Sequence, residues 1–130
     1  MTTIKHHRIF VYGTLLASEP NHRLLTKSEL VGPARTKGVF GMLDLGGYPG
    51  AVVGTETKIV GEVYLVDDDT LFQLDRLEGH PRLYRRTPIE LEDGGEAEMY
   101  ILNDRDRLQW TIPSGSWREH LAGRRKERFG

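Results

Sequence analysis

Apolar positions along the chain come in short runs, broken every few residues by glycine, proline or clustered polar side chains. Arg8-Ile9-Phe10-Val11-Tyr12 is β-branched and aromatic, stops at Gly13, and predicts a buried first strand. The polar loop Ala17-Ser18-Glu19-Pro20 follows, with Asn21 placed to cap a short helix carrying Leu24 and Leu25. From Gly32-Pro33 onward, Gly38, Gly41, Gly46-Gly47, Pro49-Gly50 and Gly54 punctuate the chain. They leave residues 36–45 and Ala51-Val52-Val53 as strands joined by tight turns. Residues 58–66 are the clearest strand, apolar on both faces apart from Glu62, which predicts cover on both sides. Asp67-Asp68-Asp69-Thr70 signals a helix start, and residues 71–78 a helix stopped by Gly79 and Pro81. Residues 84–91 and 96–102 predict a hairpin about Asp93-Gly94-Gly95. No repeat, linker or low-complexity segment interrupts this pattern. Many short strands with few short helices indicate an α+β domain, a compact mixed sheet or small barrel.

Composition narrows the chemistry. The chain has 130 residues, 38% hydrophobic and 28% charged, which suits one domain. No segment approaches the roughly 20 apolar residues that cross a bilayer. Met1-Thr2-Thr3-Ile4-Lys5 leads into the first strand without an apolar secretory region, so the expected location is cytoplasmic. The absence of cysteine excludes disulfides, Cys-ligated zinc, iron–sulfur clusters and thiolate nucleophiles. His6-His7 is too tightly spaced for a usual metal pair, and His22, His80 and His120 are scattered, so neither metal nor cofactor is expected. With a formal net charge of −1, no global field favours nucleic acid or an anionic membrane. The domain is assigned to residues 1–117. Residues 118–130, with Arg124-Arg125-Lys126 and Arg128, read as a frayed, solvated basic tail in preference to an RNA or lipid contact.

Two local features carry candidate chemistry. At 3.6 residues per turn, Glu78 falls near the azimuth of Leu71 and one turn beyond Leu74, on the stripe that a surface helix turns inward. A carboxylate there would be desolvated, which raises its pKa toward the range of a general base. The opposing reading is a glutamate frayed outward at the helix end. The second feature is Val11-Tyr12-Gly13-Thr14-Leu15, where a glycine ending a buried strand lets a ligand approach the main-chain amides. An ordinary turn would also need only that glycine. Glu62 is either a second acid or a half-buried group bonded to an arginine or a backbone amide. Trp110 and Trp117, seven apart, are expected to pack over the barrel end, with a place in the site wall as the alternative.

Taken in order, several segments resemble the γ-glutamylcyclotransferase-like family, and within it the branch of γ-glutamylamine cyclotransferases, BtrG enzymes and AIG2-like proteins. They are Phe10-Val11-Tyr12-Gly13-Thr14-Leu15, Pro20-Asn21-His22, Tyr48-Pro49-Gly50-Ala51, Gly61-Glu62-Val63-Tyr64, Leu74-Asp75-Arg76-Leu77-Glu78-Gly79 with Tyr84-Arg85-Arg86, and Ser114-Gly115-Ser116-Trp117. The resemblance implies a small mixed β-barrel flanked by short helices and a small-molecule γ-glutamyl substrate. It implies a loop of Tyr12, Gly13, Thr14 and Leu15 gripping that group, and Glu78 as general acid and base for release of 5-oxoproline. Tyr84 is a further candidate for the pocket. The family often carries a basic residue and a glycine after the first motif, where this chain reads Leu16-Ala17-Ser18. A non-catalytic metabolite-binding relative and an amide hydrolase are the competing functions. The amine or peptide on the γ-glutamyl group and the oligomeric state stay open at this level.

Overall fold

The computed structural model describes residues 6–103 and 111–129, with side chains to Arg124. Trp110 and the side chains of Arg125, Lys126 and Arg128 lie outside the described residues. Seven strands run as β1 His7–Val11, β2 Glu29–Arg35, β3 Phe40–Asp44, β4 Pro49–Val53, β5 Val60–Val66, β6 Tyr84–Glu90 and β7 Glu96–Leu102. The helices are α1, Asp68–Glu78, and α2, Trp117–Phe129, with a 3-10 turn at His22–Leu25. The α+β class holds. The segment read as a frayed basic tail is instead helix α2, tied to β3 because the Asp44 carboxylate accepts from His120 Nε2 (2.7 Å) and from Arg124 (3.2 Å).

Alternation explains why β1 and β5 carry apolar residues on both faces. Ile9 and Val11 of β1 enter one core cluster with Tyr64 and Val66 of β5 and Tyr100 and Leu102 of β7. Phe10 and Tyr12 enter a second cluster with Val63 and Met99. The sheet therefore separates two cores, as a period of two residues demands. Leu71 and Leu74 of α1 and Leu25 of the 3-10 turn close the first; Ile112 and Trp117 close the second.

The sheet does not close into a barrel. Its order is β2-β5-β1-β7-β4-β3, with β6 on β7. β2, read from sequence only as turn punctuation, forms one edge despite Gly32 and Pro33. Its register shifts between Leu30 and Gly32, and an edge tolerates a proline with no N–H to give. β6 pairs with β7 from Tyr84↔Leu102 to Glu90↔Glu96, so β1 and β4 must share the other edge of β7. β1 takes the part at Glu98 and Met99, and β4 the part at Ile101. The sheet splits between them, opposite Tyr100.

Tyr12 bridges the split. Its hydroxyl donates to the Tyr100 carbonyl (2.7 Å) and accepts from the Ala51 N–H (3.0 Å), replacing a missing rung of the ladder. Burial raises the phenol pKa well above its ordinary value, with Tyr84 and Glu78 adding to the effect, so it stays a neutral donor. Tyr12→Phe would strand both main-chain groups in the core. The expected loss is about 2–3 kcal/mol of unfolding free energy, read as a lower urea midpoint with an unchanged slope.

Candidate active site

The split creates a cavity of about 460 Å³, within the usual range for small-molecule sites. Its walls include Tyr12, Gly13, Thr14, Leu15, Glu78 and Tyr84, the six residues placed from sequence in the catalytic and substrate-binding set. Tyr100, Asn21 and Leu83 also line it, though none was assigned to the site from sequence. Tyr100 and Leu83 carried no local signal: Tyr100 reaches the cavity through the pairing of β7 with its neighbours, and Leu83 through a turn held by Gly79 and Asn103. Trp117 is buried in the second core and takes no part in the wall.

After Val11 the chain leaves the sheet and turns back on itself. The Gly13 carbonyl accepts from Leu16 N–H (3.0 Å), and the Thr14 carbonyl from Asn21 N–H (2.8 Å). The Leu15 carbonyl accepts from His22 Nδ1 (3.0 Å). Among the described residues nothing accepts from the amides of Gly13, Thr14 or Leu15. Buried amides without acceptors are costly, and a run of them beside a cavity is a cradle for an anion or a carbonyl oxygen. Asn21 does not cap the 3-10 turn through its side chain; its Nδ2 donates instead to Thr14 Oγ1 (2.9 Å). The threonine hydroxyl, already an acceptor, keeps its own hydrogen to donate.

The departure at Leu16-Ala17-Ser18 is held from behind. Glu62 Oε1 accepts from Ala17 N–H (3.0 Å) and Tyr64 hydroxyl (3.2 Å), while Arg118 sits 3.5 Å from Oε2 and also donates to the Ala17 carbonyl. Of the two readings of Glu62, the bonded one holds; the residue is a brace for the loop and not part of the cavity wall.

Glu78 lines the same cavity from helix α1. Asp67 caps that helix by accepting from Thr70 N–H (2.8 Å), and Gly79 ends it with φ 64°, a left-handed conformation that glycine adopts without strain. These two ends fix the phase that carries Leu71 and Leu74 into the core and Glu78 to the cavity. Desolvation raises the Glu78 pKa to about 7, and no ion pair among the described residues offsets that cost. Tyr84 closes the floor, its hydroxyl donating to the Pro49 carbonyl (2.8 Å). Among the described residues no three His, Asp or Glu side chains gather as a metal site, and no helix is long and apolar enough to cross a membrane.

The model of the γ-glutamyl cyclotransferase, AIG2-like family matches residues 9–119. The chain belongs to that family. A Vibrio cholerae relative, provisionally named a γ-glutamylcyclotransferase, is 49% identical over 111 residues, covering 85% of this chain and 95% of its own. The γ-glutamylaminecyclotransferase A of Danio rerio is 36% identical over 106 residues, covering 72% and 66%. The crystal structure of a mouse AIG2-like protein superimposes with a TM-score of 0.73 at 25% identity, covering 85% of this chain and 87% of that one. The family-model match takes in the loop at Gly13 and the helix bearing Glu78.

Proposed function

We propose that the protein is a γ-glutamylcyclotransferase acting on γ-glutamyl amines or peptides, with Glu78 as its proton carrier. The observation that carries this reading is a carboxyl with a pKa of about 7 sharing one cavity with three unpaired amides. In a γ-glutamyl amide the α-amine can reach the γ-carbonyl, so the enzyme needs no nucleophile of its own. Glu78 takes a proton from the α-ammonium, and the freed amine attacks the γ-carbonyl carbon. The amides and hydroxyl of residues 13–15 hold the α-carboxylate or the developing oxyanion. The amide C–N bond then breaks, and Glu78 returns a proton to the departing nitrogen. Both hydrogens that the α-nitrogen gives up end on the released amine, so no proton is consumed. Fixing the substrate in its attack geometry can supply up to ~7–11 kcal/mol of the barrier reduction.

The test is to incubate the protein with a panel of γ-glutamyl amides and peptides and separate 5-oxoproline from glutamate. One equivalent of 5-oxoproline per amine released is expected. Glutamate as the product would make the protein an amide hydrolase, with Glu78 activating water. Saturable binding with neither product would make it a binding relative.

A further inference from the structure

We infer that the leaving group this site favours is an uncharged, apolar amine of several carbons, an inference that rests on the cyclotransferase reading. The cavity is graded. Among its wall residues Gly13 and Leu15 are buried and Thr14 half-buried, and their unpaired amides are the natural seat of the γ-glutamyl head. Tyr48, Leu77 and Leu83 line the same cavity but are 40%, 40% and 44% exposed, which marks the solvent side of the wall.

Single exposed apolar residues need no explanation, but these three come from separate elements and line one cavity. Tyr48 precedes β4, Leu77 sits on α1 beside Glu78, and Leu83 lies in the turn before β6. Leu83 is held there, for its N–H donates to the Gly79 carbonyl (3.0 Å) and its carbonyl accepts from Asn103 N–H (3.1 Å). A main chain already fixed at a cavity wall need not be ordered when a ligand covers its side chain.

Charge points the same way. Among the described residues lining the cavity, Glu78 is the sole ionisable side chain apart from the tyrosines, so no cation meets a second carboxylate. Arg23 stands just behind the wall, but its guanidinium donates to the Pro20 carbonyl (3.0 Å) and Asn21 Oδ1 (3.2 Å). A leaving group bearing a carboxylate would have to draw it off those partners, and would stand near Glu78 as it ionises. A hydrocarbon chain instead covers the three apolar residues and removes them from water.

The experiment compares kcat/KM for 5-oxoproline release from four substrates with the same head: γ-glutamyl-isopentylamide, γ-glutamyl-methylamide, γ-glutamylglycine and γ-glutamyl-ε-lysine. The isopentylamide is expected to exceed the methylamide roughly tenfold, and both charged substrates by more. In Leu83→Asn and Leu77→Asn the isopentyl-to-methyl ratio should fall toward one. A ratio is internal to the folded fraction, so partial unfolding of a variant does not mimic the result. Equal rates for the two amides, or preference for either charged substrate, would overturn the inference while leaving the cyclotransferase reading intact. Absence of 5-oxoproline from all four would remove that reading and this inference with it.

Discussion

Glu78→Gln is expected to lower kcat by about 10²–10⁴-fold with little change in KM, because glutamine keeps the shape of the cavity but carries no proton between the two nitrogens. Wild-type kcat/KM should rise with pH through about 7 as the carboxyl ionises, and the residual activity of the variant should lack that limb. Stability should move the other way. The folded-state pKa, about 7, lies above the ordinary 4.5, so the unfolded chain gives up this proton first as pH rises. The favourable contribution of the neutral acid is thus complete below about pH 4.5 and lost as pH climbs to 7, a change of about 3 kcal/mol. At pH 8 the glutamine variant should accordingly be more stable than the wild type, by about 1–3 kcal/mol, with the gap closing toward pH 4.5. Urea unfolding of both proteins at the two pH values measures it. Full 5-oxoproline production by the variant would remove Glu78 from the chemistry.

Gly13→Ala should be nearly as damaging by a different route. A Cβ at position 13 would stand 2.6 Å from Pro49 Cγ and 2.8 Å from Cδ, well inside van der Waals contact. The proline ring has little freedom to retreat, since the Tyr84 hydroxyl holds its carbonyl and Ala51, two residues on, is tied to Tyr12. The loop must therefore shift, carrying the amides of Gly13, Thr14 and Leu15 out of place. A displacement near 1 Å costs on the order of 10²-fold in a preorganised site, and kcat/KM should fall by about that factor. The overpacking should also cost about 1–3 kcal/mol of stability. Steady-state kinetics with thermal melting distinguishes a displaced loop from a lost fold: the variant should remain cooperative while losing turnover. Wild-type kcat/KM in this variant would mean that the loop does not hold the substrate.

How the site closes decides how much of it a sequence can reveal. Glu78 was legible because helical phase is local: Leu71 and Leu74 define a stripe, and a carboxylate on that stripe stands out whatever lies opposite. The Gly13 turn was legible because a β-branched run stopped at glycine. Asn21 shows the limit of such local signals. It occupies the cap position in the chain, yet its amide serves Thr14, a partner set by how the loop folds back and not by helix chemistry. The basic C-terminal residues misled for a related reason, since composition gave no hint that Asp44 waits for His120 and Arg124.

By itself, then, the sequence determined the class of the fold, the strands of alternating pattern, the phase and both ends of the catalytic-candidate helix, and the glycine turn. These depend on periodicity and on backbone freedom, which act within a few residues. Tertiary structure alone decided that the sheet stays open and that β1 and β4 share one edge of β7. It also set the Tyr12 hydroxyl across the gap and opened the cavity toward Tyr48, Leu77 and Leu83. Those facts arise from pairings between distant strands, where each hydrogen bond is fixed by what the neighbouring edge leaves unsatisfied, and no local pattern encodes that remainder.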